Sequence, residues 1–562
     1  MAKTQFDAIV VGSGITGGWA AKELTQAGLK VLMIERGREI VHGEYETEMK
    51  TPWEMPFRGQ GDAALYVKEY GVQSRNRQFN EFTQSHFVND AQNPYSTAPG
   101  TDFAWLRSYQ LGGRSLTWGR QSYRWSDYDF GANKRDGHGT DWPIRYADVA
   151  PWYDKVEEFI GVSGAMEGLK QLPDGKFQPP MALNAVETHV KQVVADKFGR
   201  CMTVGRVANM TEAKPDEGRS ACQNRSICAR GCSYGAYFST QSSTLPAAQA
   251  TGNLTVVTDA IVEHVDYDPA TRRVTGVRYV NTRDGTRGSA TARIVFLNAG
   301  AFNSVHLLLN SRSEAMPTGL ANSSGVLGTQ IMDHASTLST MALFPQFAGR
   351  TSFGNRPTGV VVARYRNMDE MDGTGHTRGF SFQGGALQSN WAAGKREAGI
   401  GADFKNHLRS PGMWRMVLVA FADSVPRDSN RLTLDPAKTD RFGIPQLHIA
   451  FAHGKEEQAA LAQAKADAAE MMTAAGGKVI MGSDQPGPGG MAIHEMGGAR
   501  MGLDPKTSVL NKWSQAHDIA NLFVTDGAQM ASSACQNPSL TYMALTARAC
   551  DAAVRMLREG VI

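Results

Sequence analysis

With 562 residues the chain is long enough to bury more than one hydrophobic core, so two domains are expected, interleaved along the chain. The 41% hydrophobic and 20% charged fractions are those of an ordinary globular protein, and a net charge of +3 is too small at this size to signal a nucleic-acid or other polyanionic partner. No apolar run reaches the ~20 residues of a membrane span, Met413 to Ala422 being broken by Arg415, and no basic, apolar and small-residue export signal precedes the first apolar run.

That first run, Phe6 to Val11, predicts a buried parallel strand. It leads into Gly12-Ser-Gly14-Ile-Thr-Gly17, whose glycines let the backbone turn tightly against a pyrophosphate, and residues 15 to 27 suit a helix whose N-terminus faces that anion. Lys30 to Ile34 reads as the second strand and delivers Glu35, about 20 residues past the loop, to accept hydrogen bonds from a ribose. The unit defines a dinucleotide pocket and leaves open whether FAD or NAD fills it. Residues 40 to 108 turn polar and aromatic without clear periodicity, as expected of a surface excursion or lid. At Tyr109 to Gly119 a second glycine-rich segment carries Gly112, Gly113, Ser115, Thr117 and Trp118, and its small residues would let the backbone approach a flat ligand. Asp148 is expected to cap a helix beginning near Pro151 and stopping at Gly161.

Cys222, Cys228 and Cys232 follow at x5 and x3 spacing in a polar loop. Thiolates in such numbers bind soft metals; zinc would want a fourth ligand, for which Cys201 is nearest, and a disulfide plus a free thiol is the simplest other reading. Cys228 and Cys232 are expected to share one face of a helical turn, with Arg219, Arg225 and Arg230 lowering the thiol pKa values. Alternating runs at 359 to 365 and 415 to 421 predict a half-buried antiparallel sheet, and Lys455 to Ala475 a long helix. Near the C-terminus, His494 supplies an imidazole suited to take a hydroxyl proton at neutral pH, and Asn537 supplies both a donor and an acceptor to orient that hydroxyl. Asn521 to Val524 reads as a strand ending in a turn at Asp526-Gly527.

The run Asp141-Trp-Pro-Ile-Arg-Tyr146-Ala-Asp148-Val-Ala-Pro151-Trp152-Tyr153, coming after the loop at Gly12 and the double glycine, resembles the glucose-methanol-choline (GMC) oxidoreductases, a family of FAD-dependent alcohol oxidases and dehydrogenases. The resemblance implies an α/β (α+β overall) fold: a Rossmann-like FAD domain from residues 1–40, 109–150, 235–334 and 490–562, interleaved with an antiparallel-sheet substrate domain from 151–200 and 335–489. Residues 201–234 would form a cysteine-rich insertion, and the strands at 430–434 and 440–445 would pair in the substrate domain. It further implies FAD in the Gly12 pocket, with Val262 beside the adenine, Ala299 and Gly300 at the return to the pocket, Asp526 and Gly527 near the phosphates and ribityl, and Pro538 and Thr541 in the C-terminal motif. His494 takes the place of the family's catalytic histidine. Asn537 stands where other members carry histidine or asparagine, as in sugar-oxidising members. Thr117 stands where pyranose oxidases carry a histidine bonded to the flavin, so FAD is expected to be held non-covalently.

The cysteine spacing resembles the iron–sulfur branch of this family, bacterial sugar dehydrogenases that hold a 3Fe-4S cluster on three cysteines. Within it, Trp105 to Asp129 and Asp136 to Trp152 most resemble glucoside 3-dehydrogenases, which oxidise the C3 hydroxyl of glucose units and pass electrons to a cytochrome. Their catalytic subunit is exported with a small signal-bearing partner, implying a periplasmic location at the inner membrane and a cytochrome c acceptor. Two other expectations compete: an oxygen-using glycoside or pyranose oxidase, and a non-catalytic flavin and iron–sulfur electron carrier, against which the pairing of His494 with Asn537 speaks.

Overall fold

The first apolar run becomes the strand Gln5–Val11 inside a seven-stranded sheet, in a computed structural model that describes residues 5–352, 354–389 and 398–562. It pairs in parallel with Val31–Ile34 on one side and with Arg287–Leu297 on the other, Ile9 lying opposite Leu32 and Val295. Ala8, Ile9 and Val10 are covered on both faces, which is why the segment is continuously apolar rather than alternating. Arg287–Leu297 divides its outer edge: antiparallel Arg273–Asn281 takes the first half and parallel Leu522–Val524 the second. Helices Ile15–Gln26 and Ser539–Arg558 share a core with this sheet through Ala20, Ala21, Leu24, Ala549 and Ala553.

A second sheet of six strands has its own core, closed by helices Ala185–Phe198 and Lys455–Ala474. Its strand Trp414–Ala422 shows how alternation divides labour. Trp414, Met416, Leu418, Ala420 and Ala422 face the core, while Arg415, Val417, Val419 and Phe421 face a large cavity between the two sheets. The mixed α/β architecture is the one expected.

Three expectations about placement change. The helix at 146 runs Tyr146–Ile160, so Asp148 lies inside its first turn, accepting from the Arg145 amide at 2.8 Å, and Pro151 lies within the helix. This helix packs against Ser539–Arg558 and belongs to the nucleotide side. Strands Arg431–Thr439 and Pro445–Ala450 do pair with each other, but Leu432, Leu447 and Ile449 join the nucleotide-side core beside helix Ala301–Asn310 rather than the six-stranded sheet. The stretch 41–108 is more than a surface excursion: Tyr66, Tyr70, Phe79 and Phe87 pack edge-on as a small aromatic core, and residues 105–109 reach the cavity wall.

Candidate active site

The cavity between the sheets has a volume of about 2200 Å³, large enough for a dinucleotide and a substrate together. One end is built by the Gly12 loop. Gly12 has φ +95°, and a Cβ there would meet the Asn298 carbonyl oxygen at 2.5 Å. Gly14 is different: a Cβ would meet nothing within 4 Å and would stand in the cavity itself. No side chain caps the helix that follows, so its first amides are left for a bound anion. The second glycine segment closes against the first, the Gly112 amide donating to Ser13 Oγ at 2.8 Å and Gly113 lying beside Gly14. An open glycine cradle at a helix N-terminus fits the pyrophosphate of FAD.

Most of the expected cofactor residues line this cavity: Gly12, Gly14, Glu35, Gly113, Ser115, Thr117, Trp118, Val262, Ala299, Gly300, Asp526, Gly527 and Pro538. The carboxylates among them are held by the protein itself. Glu35 accepts from the Ser13 amide (3.1 Å) and hydroxyl (2.5 Å) and from the Gly37 amide (2.9 Å). Asp526 accepts from Gly300, Ser304 and Ala528, and burial pushes its pKa up to about 6.

Three expected residues lie off the wall, each for a physical reason. A Cβ at Gly17 would sit 2.0 Å from the Gly12 carbonyl oxygen, so its role is helix-to-loop packing. Gly112 is backed by the Gln241 amide. Thr541, on a helix, turns its hydroxyl away to Tyr153 at 2.7 Å.

The other end of the cavity holds His494 and Asn537, with Asn537 Nδ2 3.0 Å from His494 Nε2. Burial, then the neighbouring His334 and Arg114, hold the His494 pKa well below 6.5, so it is a neutral imidazole at physiological pH. Five residues to which the sequence assigned no role complete the arrangement. His334 Nδ1 lies 2.7 Å from His494 Nδ1, and Gln383 donates to Asn537 Oδ1 at 2.5 Å. Arg114 and Glu495 form a bidentate pair at 3.1 and 2.7 Å beside His494, tying the second glycine segment to the C-terminal motif. Asp333, buried with its pKa raised to about 7, accepts from the amides of Gly490, Ala492 and His494 and thereby shapes the loop that presents the imidazole. Gln383 had a local signal, its alternation with buried Phe380 and Phe382.

The cysteine loop departs from expectation in three ways. A tight turn covers Cys228–Arg230 and ends there, Gly231 taking φ +105°, so Cys232 leaves the face that Cys228 occupies. The arginines are mostly employed elsewhere: Arg219 donates to the Phe159, Ile160 and Gly235 carbonyls, and Arg230 to the Lys50 carbonyl, while Arg225 alone reaches a thiol, Cys232, at 4.0 Å. Burial, reinforced by the fields of Cys228 and Cys232, raises the Cys222 pKa rather than lowering it. All six cysteines are free, and among the described residues no group of three His, Cys, Asp or Glu side chains is gathered as a metal site. The side chains as placed therefore do not by themselves form a cluster site. The loop is tied to the preceding excursion by Glu48, which accepts from Arg225 and from the Ser233 amide and hydroxyl at 3.0 and 3.2 Å. Cys228 is on the cavity wall.

A nucleotide-binding sheet with parallel central strands, a glycine cradle and a neutral histidine on one cavity define a dinucleotide-dependent oxidoreductase. Models of the GMC oxidoreductase family match residues 6–336 and 426–546, and the chain belongs to that family of FAD-dependent oxidoreductases acting on CH–OH groups. It is similar to a 2-methyl-1,2-propanediol dehydrogenase from Mycolicibacterium austroafricanum, 28% identical over 97% of this chain and 95% of the relative. It is also similar to the fructose dehydrogenase large subunit from Gluconobacter japonicus, 25% identical over 99% and 98%. The fold matches a solved pyridoxine 4-oxidase from Mesorbium loti with a TM-score of 0.61 at 16% identity, covering 97% of this chain and 98% of that one. Among the described residues no helix is long and apolar enough to cross a membrane.

Proposed function

We propose that the protein is a glucoside 3-dehydrogenase: an FAD-dependent enzyme that oxidises a secondary hydroxyl, at C3 of a glucoside or related sugar, to a ketone. The observation that carries this reading is the pairing of His494 with Asn537 at 3.0 Å on a cavity that also holds the glycine cradle. Gly12, Gly14, Gly113, Thr117 and Trp118 would hold the FAD, non-covalently. Bound FAD supplies the two-electron acceptor that takes a hydride from the carbinol carbon. His494 accepts the hydroxyl proton, and the second Nδ2 proton of Asn537 is free to hold the substrate oxygen, so the C–H and O–H bonds break as C=O forms. Arg415 and Ser336, which line the same cavity, offer polar groups to the remaining sugar hydroxyls.

Cys222, Cys228 and Cys232 are proposed to hold a 3Fe-4S cluster, with a cytochrome c as final acceptor; the cysteine spacing and the place of Cys228 on the cavity wall support this. The fructose dehydrogenase relative is named as a large subunit, and here too a small signal-bearing partner is proposed, giving a periplasmic location at the inner membrane.

His494→Ala is expected to lose ~10²–10⁴ in turnover while keeping its FAD; near-normal turnover removes the assignment. Iron and acid-labile sulfide analysis tests the cluster. Faster turnover with oxygen than with a dye or cytochrome would favour a glycoside oxidase, and failure of any sugar to bleach the flavin anaerobically would favour an electron carrier.

A further inference from the structure

His334 lies behind His494, buried and off the cavity wall. Its Nε2 is 3.1 Å from the Ser533 carbonyl oxygen and 3.0 Å from that of Ala534. Carbonyl oxygens only accept, so this nitrogen carries a hydrogen. Burial keeps the ring neutral, its pKa down to about 4, and a neutral imidazole has a single N–H, so His334 Nδ1 is a bare acceptor. Two bare nitrogens do not sit 2.7 Å apart; the hydrogen between the rings therefore belongs to His494 Nδ1.

The same answer comes from the other end of the chain of contacts. Gln383 donates to Asn537 Oδ1, which turns the Asn537 NH₂ toward His494 Nε2, a nitrogen that must then be the acceptor. The rings cannot readily turn out of this pattern. Their planes are perpendicular with centroids 4.8 Å apart, and Phe421 packs against both, at 6.0 Å from His334 and 5.8 Å from His494.

We infer that His334 is a positioning residue that holds the His494 proton on Nδ1 and keeps Nε2 open toward the cavity. The inference deepens the proposed function, resting on His494 as the base. His334 touches no substrate; it decides which nitrogen of its neighbour can accept a proton. Without an acceptor at Nδ1, the His494 proton can move to Nε2, the nitrogen that has to receive the hydroxyl proton.

The test uses FAD-loaded enzyme with ¹⁵N-labelled histidine, in three forms: wild type, His334→Leu and His334→Asn. Leucine removes the acceptor, while the asparagine Oδ1 can take the place of Nδ1. ¹⁵N NMR is expected to show His494 protonated at Nδ1 in the wild type and in His334→Asn, and at Nε2 in His334→Leu. With flavin content and KM unchanged, kcat is expected to fall by a factor on the order of 10² or more in His334→Leu, a wrong tautomer in a serine protease triad costing ~10⁴, and to return to within about tenfold of wild type in His334→Asn. Wild-type enzyme protonated at Nε2, wild-type kcat in His334→Leu, or His334→Asn as slow as His334→Leu overturns the inference. If His334→Leu does not fold, the wild-type ¹⁵N assignment decides. Normal turnover of His494→Ala would remove the base assignment, while the tautomer would still be read directly by NMR.

Discussion

The floor of the cavity and the cysteine loop are both clusters of reactive side chains, and they are built in opposite ways. His334, His494, Gln383 and Asn537 come from four separate segments, and each contact among them is 2.5 to 3.0 Å long. The three thiols come from one short loop and are only half-buried; Cys222 and Cys232 meet polar neighbours at 3.5 to 4.0 Å. Where distant segments converge, packing of two sheets and a helix sets the geometry before any ligand arrives. Where the side chains are neighbours in sequence, the local turn alone sets their directions, and Gly231 ends that turn before Cys232.

The strongest way to break this contrast is to remove a thiol. Cys228→Ser is expected to lose nearly all iron and all turnover with a cytochrome-type acceptor while sugar still bleaches the flavin anaerobically; iron analysis together with a stopped-flow bleach checks both halves. If bleaching disappears as well, the two regions are not separable. Gly17→Val is the corresponding test of the cradle. Its Cβ would meet a backbone oxygen at 2.0 Å, which has no flexible end to move, so flavin stoichiometry should fall by at least about tenfold, read from the absorbance of purified protein.

A smaller effect is expected at the ion pair that ties the second glycine segment to the C-terminal motif. Arg114→Leu strands the Glu495 carboxylate, which is 2% exposed, and should cost about 3 kcal/mol in chemical denaturation, the low end for a buried pair because Arg114 itself keeps 36% exposure. The mildest is a pH effect. His494 and His334 both stay neutral in the folded state below pH 6.5, so the acid limb of kcat/KM should lie well below 6.5. Stability follows the same sign. Below pH 6.5 the unfolded chain binds protons that the folded chain does not, so stability falls as pH drops through 6.5 and is unaffected by these two groups above it. An acid limb at 6.5 would mean that His494 is not desolvated as the structure places it.

Much of the fold and part of the site were legible because their signals are local. The strand, glycine loop and acid of the first 35 residues occupy successive positions, and the alternation in Trp414–Ala422 is a two-residue period that burial then follows. The pairing of His494 with Asn537 came through motif resemblance. Other errors arose where a local signal had two solutions. Asp148 satisfies an amide equally well inside the first turn as in front of it, and a strand pair reads the same whichever core it faces. Cys228 and Cys232 are spaced for one helical turn, but Gly231 ends that turn between them.

The sequence by itself determined the strand, glycine loop and acid of a dinucleotide-binding unit and, through the motifs around His494 and Asn537, membership of an FAD-dependent family. Only the tertiary structure decided that His334 backs His494, that Gln383 orients Asn537, that Arg114 pairs with Glu495, and that Gly17, Gly112 and Thr541 stand behind the cavity wall. Periodicity, capping and turn chemistry act over a few neighbouring residues, whereas the first three of these contacts span 160, 154 and 381 positions and exist only once the chain has folded.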